Sequence, residues 1–80
     1  MRATVLVRPK QGILDPQGAA VRESLRKLGF EVGEVRVGRV IDLELAAGGA
    51  EEARTQIERM CSELLANPLI ESVEIELGEP

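Results

Sequence analysis

Runs in which every second residue is apolar are interleaved along this chain with two runs of helical period, and that order leaves few folds open. In the first run, about Arg2–Arg8, Ala3, Val5 and Val7 share one face while Thr4, Leu6 and Arg8 share the other. After a loop, Pro9–Leu14, Asp15 is placed to cap a helix. Pro16 follows at its first position, where a missing N–H costs nothing. Val21, Leu25 and Leu28 then recur at helical spacing, a stripe expected to face the core, and Gly29 ends the helix. Two strands are expected next, at about Glu31–Val37 and about Arg39–Ala46. Gly38-Arg39 between them suits a two-residue hairpin, with glycine first as a type II′ turn requires. After Ala47–Gly49 a second helix is expected over about Ala50–Ala66, with Ala53, Ile57, Met60, Cys61, Leu64 and Leu65 inward. Asn67-Pro68 stops it, because the residue before proline is pushed out of helical geometry. A last strand is expected at about Ser72–Leu77, with Val73, Ile75 and Leu77 inward.

The resulting order, β-α-β-β-α-β, predicts an α+β chain folded as a single ferredoxin-like domain over residues 1–80. Its sheet would be four-stranded and mostly antiparallel, with both helices on one face. The other face would carry Thr4, Leu6, Arg8, Glu34, Arg36, Val40, Asp42, Glu44, Glu74 and Glu76, polar with a few apolar spots. Such a face, and the exposed edges beside it, suit either solvent or docking to another chain.

A chain of 80 residues has little core to spare. One cysteine provides no disulfide framework, and no Cys/His cluster has metal spacing, so self-association is the remaining aid to stability. Ten basic against 14 acidic residues give a net charge of −4, and Phe30 is the single aromatic. That lacks both the basic footprint and the stacking platforms of nucleic-acid binders. The apolar start is too short for a membrane span or a signal-peptide core, and a cytoplasmic location is expected.

Catalytic readings find little to stand on. Histidine is absent, so Cys61 lacks the base that activates a glutaminase-type nucleophile, and its place on the apolar stripe reads as a buried thiol. No phosphate-binding glycine motif occurs. Gly48-Gly49 precedes a helix, but Glu51 and Glu52 in its first turn would repel a phosphate. The carboxylates Glu74 and Glu76 have no apolar pocket to raise one pKa and read as solvated charges. No catalytic, cofactor-binding or metal-binding residue is therefore assigned to this chain.

The distinctive stretch is Lys10-Gln11-Gly12-Ile13-Leu14-Asp15-Pro16-Gln17-Gly18. Gly18 is its odd element, since glycine in a first helical turn costs roughly 0.5–1 kcal/mol against alanine. Either a close backbone approach inside the subunit or a partner surface would favour it. The phrase resembles the signature of the PurS family, the small subunit of bacterial formylglycinamidine ribonucleotide synthase. The resemblance continues through Leu25, Leu28 and Gly29-Phe30, through Val35–Ile41, and through Cys61–Glu71 with its Leu-Leu-Ala-Asn-Pro core. Arg39 stands where the family usually has lysine, and Ser72-Val73 where it often has an aromatic residue.

The resemblance implies a homodimer or larger homo-oligomer without an active site, bridging a PurQ-type glutaminase and a PurL-type synthetase. The assembly would use glutamine and ATP, with ATP and Mg held by the synthetase, to convert formylglycinamide ribonucleotide to the formylglycinamidine in purine biosynthesis. Lys10, Gln11, Asp15, Gln17, Gly18, Arg36, Arg39 and Asn67 are the expected partner-contact residues. The competing expectation is a ferredoxin-like regulatory domain that binds a small ligand at a dimer interface.

Overall fold

The most regular alternation in the sequence becomes the centre of the sheet. The computed structural model describes residues 1–78. The elements are β1 (Arg2–Pro9), α1 (Pro16–Lys27), β2 (Arg39–Glu44), α2 (Ala50–Met60) and β3 (Glu71–Leu77). β1 lies between β2 and β3 and is antiparallel to both. The register sets Val5 opposite Ile41 on one side and Ile75 on the other, and Ala3 opposite Leu43 and Leu77. Side chains at paired positions share a face. One face of the sheet therefore carries Ala3, Val5 and Val7 buried, flanked by half-buried Ile41, Leu43, Ile75 and Leu77.

α2 covers that face. Ala53, Ile57 and Cys61 are buried against it, with Met60, Leu65 and Ala66 half-buried around them. Gly49 is its N-cap, and Glu52 reaches back so that the Gly48 N–H donates to its Oε2 at 2.7 Å. That carboxylate serves an otherwise orphan donor at the helix start. The helix ends in a π-helical turn, Cys61–Leu65, closed by the Ala66 N–H on the Cys61 carbonyl. The wider turn rotates the last side chains, so Leu65 faces inward and Leu64 is 84% exposed. The expected inward place of Leu64 is corrected on that ground.

Two larger expectations are also corrected. The first concerns the sheet. Among the described residues it has three strands, and residues 31–38 run without ladder pairing. The hairpin at Gly38-Arg39 does not form. Positive φ among the glycines occurs at Gly12 and Gly29 and not at Gly38, so the type II′ geometry is absent. Gly38 instead lies against the backbone of Val7, where a Cβ would overlap the Val7 carbonyl oxygen. The chain from residue 31 runs into β2 without turning back, and Glu34 and Arg36 are off the sheet.

The second concerns α1. Its caps are as expected: Asp15 Oδ1 accepts from the Gly18 N–H at 3.0 Å, and Gly29 adopts φ 97°. The Phe30 N–H reaches the Leu25 carbonyl and the Gly29 N–H that of Arg26, a Schellman closure. Yet α1 packs on neither the sheet nor α2 to any extent. Val21 is exposed and Leu28 is 73% exposed, so the stripe expected in the core is open. α1 runs out from the end of β1 and residues 30–38 return beside it, forming a finger. The chain spans 50 Å in its longest dimension with a radius of gyration of 15.8 Å. A compact chain of this length has about 12 Å.

Core energetics rest on few side chains, with Ile57 the largest of those fully buried. Ile57→Ala is expected to lose about 2–5 kcal/mol of stability. Urea unfolding at fixed protein concentration checks it. Leu64→Ala serves as the near-neutral control.

Candidate functional site

The residues singled out in the sequence gather at the end of the sheet where β1 leaves, β2 enters and β3 begins. They form two clusters, both made within the subunit.

Asp15 is the hub of the first. Its Oδ1 accepts from the Gly18 N–H at 3.0 Å and its Oδ2 from the Val37 N–H at 2.7 Å. One carboxylate thus caps α1 and holds the returning arm, residues 30–38, where it meets the sheet. These two backbone donors, first Gly18 and then Val37, hold the Asp15 carboxyl below its ordinary pKa, with Arg36 adding a smaller coulombic pull. Gly18 is buried, and a Cβ there would overlap the Val35 carbonyl oxygen. The glycine is present because arm backbone passes against the helix at that point. Of the two sequence readings of Gly18, this is the close approach within the subunit.

Arg39 is the hub of the second. It stands opposite Val7 in the register, and Glu71 stands opposite Pro9, so both lie on the core face just past the last buried valine. Arg39 Nη1 donates to Glu71 Oε2 at 2.8 Å and Nη2 to Glu71 Oε1 at 3.2 Å. Nη2 also donates to the Leu65 carbonyl at 2.5 Å. That fork closes the end of the π-helical turn onto the sheet. Glu71 Oε1 accepts a further bond from the Asn67 N–H at 2.8 Å, and Asn67 Oδ1 accepts from the Leu69 N–H at 3.0 Å. The Glu71 carboxyl is lowered by Arg39 first and by the Asn67 N–H second. Lys10 completes the cluster, its backbone N–H on the Ile70 carbonyl and its Nζ on the Pro68 carbonyl at 2.7 Å.

Among the expected contact residues, then, Asp15 and Gly18 meet in the first cluster, and Lys10, Arg39 and Asn67 in the second. Gln11 and Gln17 stand exposed at the loop and the start of α1, and Arg36 is exposed with Nε 3.5 Å from Glu34. Glu71 was missed by sequence reasoning, since its role needs the β1–β3 register. The backbone of Val35 and Val37 was missed because the arm was expected to be a paired strand. Exposed apolar side chains ring this end as well: Ile13, Leu14, Leu69 and Ile70.

Cys61 is buried, and burial first, with Glu58 second, pushes its thiol above the ordinary value. No group of three or more His, Cys, Asp and Glu among the described residues is arranged to hold a metal ion. No helix among them is long and apolar enough to cross a membrane.

Fold and site together define a small α+β chain whose motif residues fasten its own loops, helix start and arm. Comparison with known proteins gives this class its family. Residues 2–79 match the family model described as PurS: phosphoribosylformylglycinamidine (FGAM) synthase. The chain belongs to the PurS family. It is 38% identical over 77 residues to the phosphoribosylformylglycinamidine synthase subunit PurS of Methanocaldococcus jannaschii, covering 95% of this chain and 93% of that protein. A solved Bacillus subtilis PurS structure superposes with a TM-score of 0.87 at 34% identity, over 98% of both chains. A chain in the structure of PurLQS from Thermotoga maritima superposes with a TM-score of 0.84 at 32% identity, over 94% of this chain and 93% of that one.

Three outcomes are expected. Gly18→Ala should destabilise by about 1–3 kcal/mol despite alanine's better helix propensity, because its Cβ meets the Val35 carbonyl and moving the arm aside strains the Asp15–Val37 bond. Gly33→Ala, with open space around it, should be near neutral in the same chemical denaturation. Asp15 and Glu71 have folded pKa values below their unfolded ones, so their contribution is full above about pH 4.5 and is lost as pH falls through the folded values. Asp15→Asn replaces one acceptor oxygen by an NH2 group facing a donor. It should lower stability at neutral pH and flatten the acid loss in denaturation curves taken between about pH 5 and pH 3. Cys61 should react with a thiol reagent at least about tenfold more slowly in the native chain than in urea, as followed by absorbance.

Proposed function

We propose that this chain is the accessory subunit of a phosphoribosylformylglycinamidine synthase, in which it holds a PurQ-type glutaminase and a PurL-type synthetase in one assembly. The observation that carries the reading is the family match across residues 2–79, joined to the structural likeness to a chain of the Thermotoga maritima PurLQS structure. The groups on this chain support a positioning role. The sequence has no histidine, the single cysteine is buried, and the motif carboxylate of Asp15 is spent on two backbone donors.

ATP and Mg belong to the synthetase in this reading, and the nitrogen comes from glutamine at the glutaminase. Ammonia passing between them must stay unprotonated and out of bulk water. A subunit that fixes the two larger proteins relative to each other shortens that passage and excludes solvent, an effect of orientation and desolvation. The chain works as one unit over residues 1–80, as a homodimer or larger homo-oligomer, in the cytoplasm. Gln11, Gln17 and Arg36 present polar groups outward for partner contacts, alongside Lys10 and Asn67 at the rim. Asp15, Gly18 and Arg39 act on partners indirectly, by holding that rim in shape.

Reconstitution tests the proposal. With glutaminase and synthetase purified apart, glutamine-dependent turnover should require this chain, while ammonia-supported turnover by the synthetase should not. Full glutamine-dependent turnover without the chain would refute the bridging role.

A further inference from the structure

The two loops at the end of the sheet leave large apolar side chains in solvent. Leu14 is 91% exposed and Leu69 83%, with Ile13 and Ile70 exposed beside them. Local packing explains neither leucine. Leu14 stands just before the cap Asp15, where an apolar residue commonly packs back on the fourth residue of the helix. That residue is Ala19, which is itself exposed, so the contact is not made. Leu69 sits in the turn after Asn67-Pro68, outside the core.

Both loops are held in place without these side chains. Lys10 ties one to the other, its N–H on the Ile70 carbonyl at 2.8 Å and its Nζ on the Pro68 carbonyl at 2.7 Å. The Ile13 N–H closes onto the Lys10 carbonyl, and the Ile70 and Glu71 N–H groups both donate to the Asn67 carbonyl. Four apolar side chains are therefore carried on a fixed frame, and little ordering entropy remains to be lost on binding. Charge indicates what kind of surface comes to meet them. Residues 10–39 carry six basic and four acidic side chains, and the rest of the chain four basic and ten acidic. At this end the Glu71 carboxylate is spent on Arg39 and that of Asp15 on two backbone donors, while Lys10 Nζ bonds a neutral carbonyl. An acidic surface is drawn to this end and repelled by the rest.

We propose that this apolar rim is the surface by which the chain docks on a larger subunit of the assembly, and that it fits an apolar pocket edged by carboxylates. Leu14 and Leu69 are the anchors, since a few large, well-buried side chains carry most of the energy of an interface. Ile13 and Ile70 widen the patch, and Lys10 pairs with a carboxylate at the edge of the pocket. Gln11 and Gln17 form the wetter border that fixes orientation. A second copy of this chain is a poorer occupant, because a two-fold contact sets the same patch against itself and Lys10 against Lys10. The inference rests on the accessory-subunit reading and adds to it the residues that carry the binding.

Titrating the chain into dilute glutaminase and synthetase, with glutamine-dependent turnover as the readout, tests it. Leu14→Ser with Leu69→Ser should raise the half-saturating concentration at least about tenfold, with the plateau still reached at excess chain. Both residues are exposed, so the urea midpoint of the variant and its mass in sedimentation equilibrium should match those of the unaltered chain. Raising the ionic strength should raise the half-saturating concentration of the unaltered chain, and should do so less for Lys10→Gln. A half-saturating concentration within about twofold of the unaltered value overturns the inference and leaves the accessory-subunit reading standing. A fall in sedimenting mass assigns the rim to contacts between copies and overturns it as well. Indifference of the unaltered chain to salt overturns the carboxylate-edged partner. An unaltered chain that does not raise turnover overturns the accessory-subunit reading, and the inference with it.

Discussion

One carboxylate sets the shape of this chain. Asp15 accepts from two backbone N–H groups that belong to different elements, the first turn of α1 and the end of the arm. An ionised carboxylate with two backbone donors is a strong and directional clamp. Because it is satisfied locally, α1 and the arm are held to each other where they leave the sheet. Gly18 completes the arrangement by letting arm backbone pass where any side chain would collide. The finger, the straight run through Gly38 and the bare edge of β2 all depend on that junction.

The clamp divides the labour along 78 described residues. One part is a small core: a three-stranded sheet with α2 on one face, closed at its end by the Arg39 fork on Glu71 and the Leu65 carbonyl. The other part is nearly all surface. Only one half of the two-layer arrangement is buried within this chain. It keeps one half and offers the other. For the accessory role proposed above, an exposed, clamped element is a useful thing to carry.

Local rules made most of the elements legible. β1 and β3 follow from alternation, the start of α1 from Asp15-Pro16, its end from Gly29, and the buried face of α2 from Ala53, Ile57 and Cys61. The misreadings share a cause. Val21, Leu25 and Leu28 have the spacing of a core stripe, and the pattern does not say whose core. Val35 and Val37 alternate as a strand does, but alternation names no pairing partner. Gly38-Arg39 has hairpin chemistry, yet the backbone at Gly38 is spent on Val7. Leu64 was misplaced by a π-helical turn, which a period of 3.6 does not anticipate. At the site, the D-P-Q-G phrase could be identified as a family mark, but the partner of the second Asp15 oxygen lies 22 residues away and needs the folded chain. Glu71 ends the Cys61–Glu71 resemblance, but its pairing with Arg39 likewise needs the folded sheet.

The central claim is that α1 has no packing partner within its own chain, so its apolar stripe is covered only when the chain associates. Amide hydrogen exchange as a function of protein concentration tests it most directly. The account predicts that protection of α1 amides rises as the chain is concentrated, while β1 and the buried part of α2 keep the same protection throughout. Protection of α1 equal to that of β1 at the lowest concentration would contradict it, because the helix would then be packed in the isolated chain.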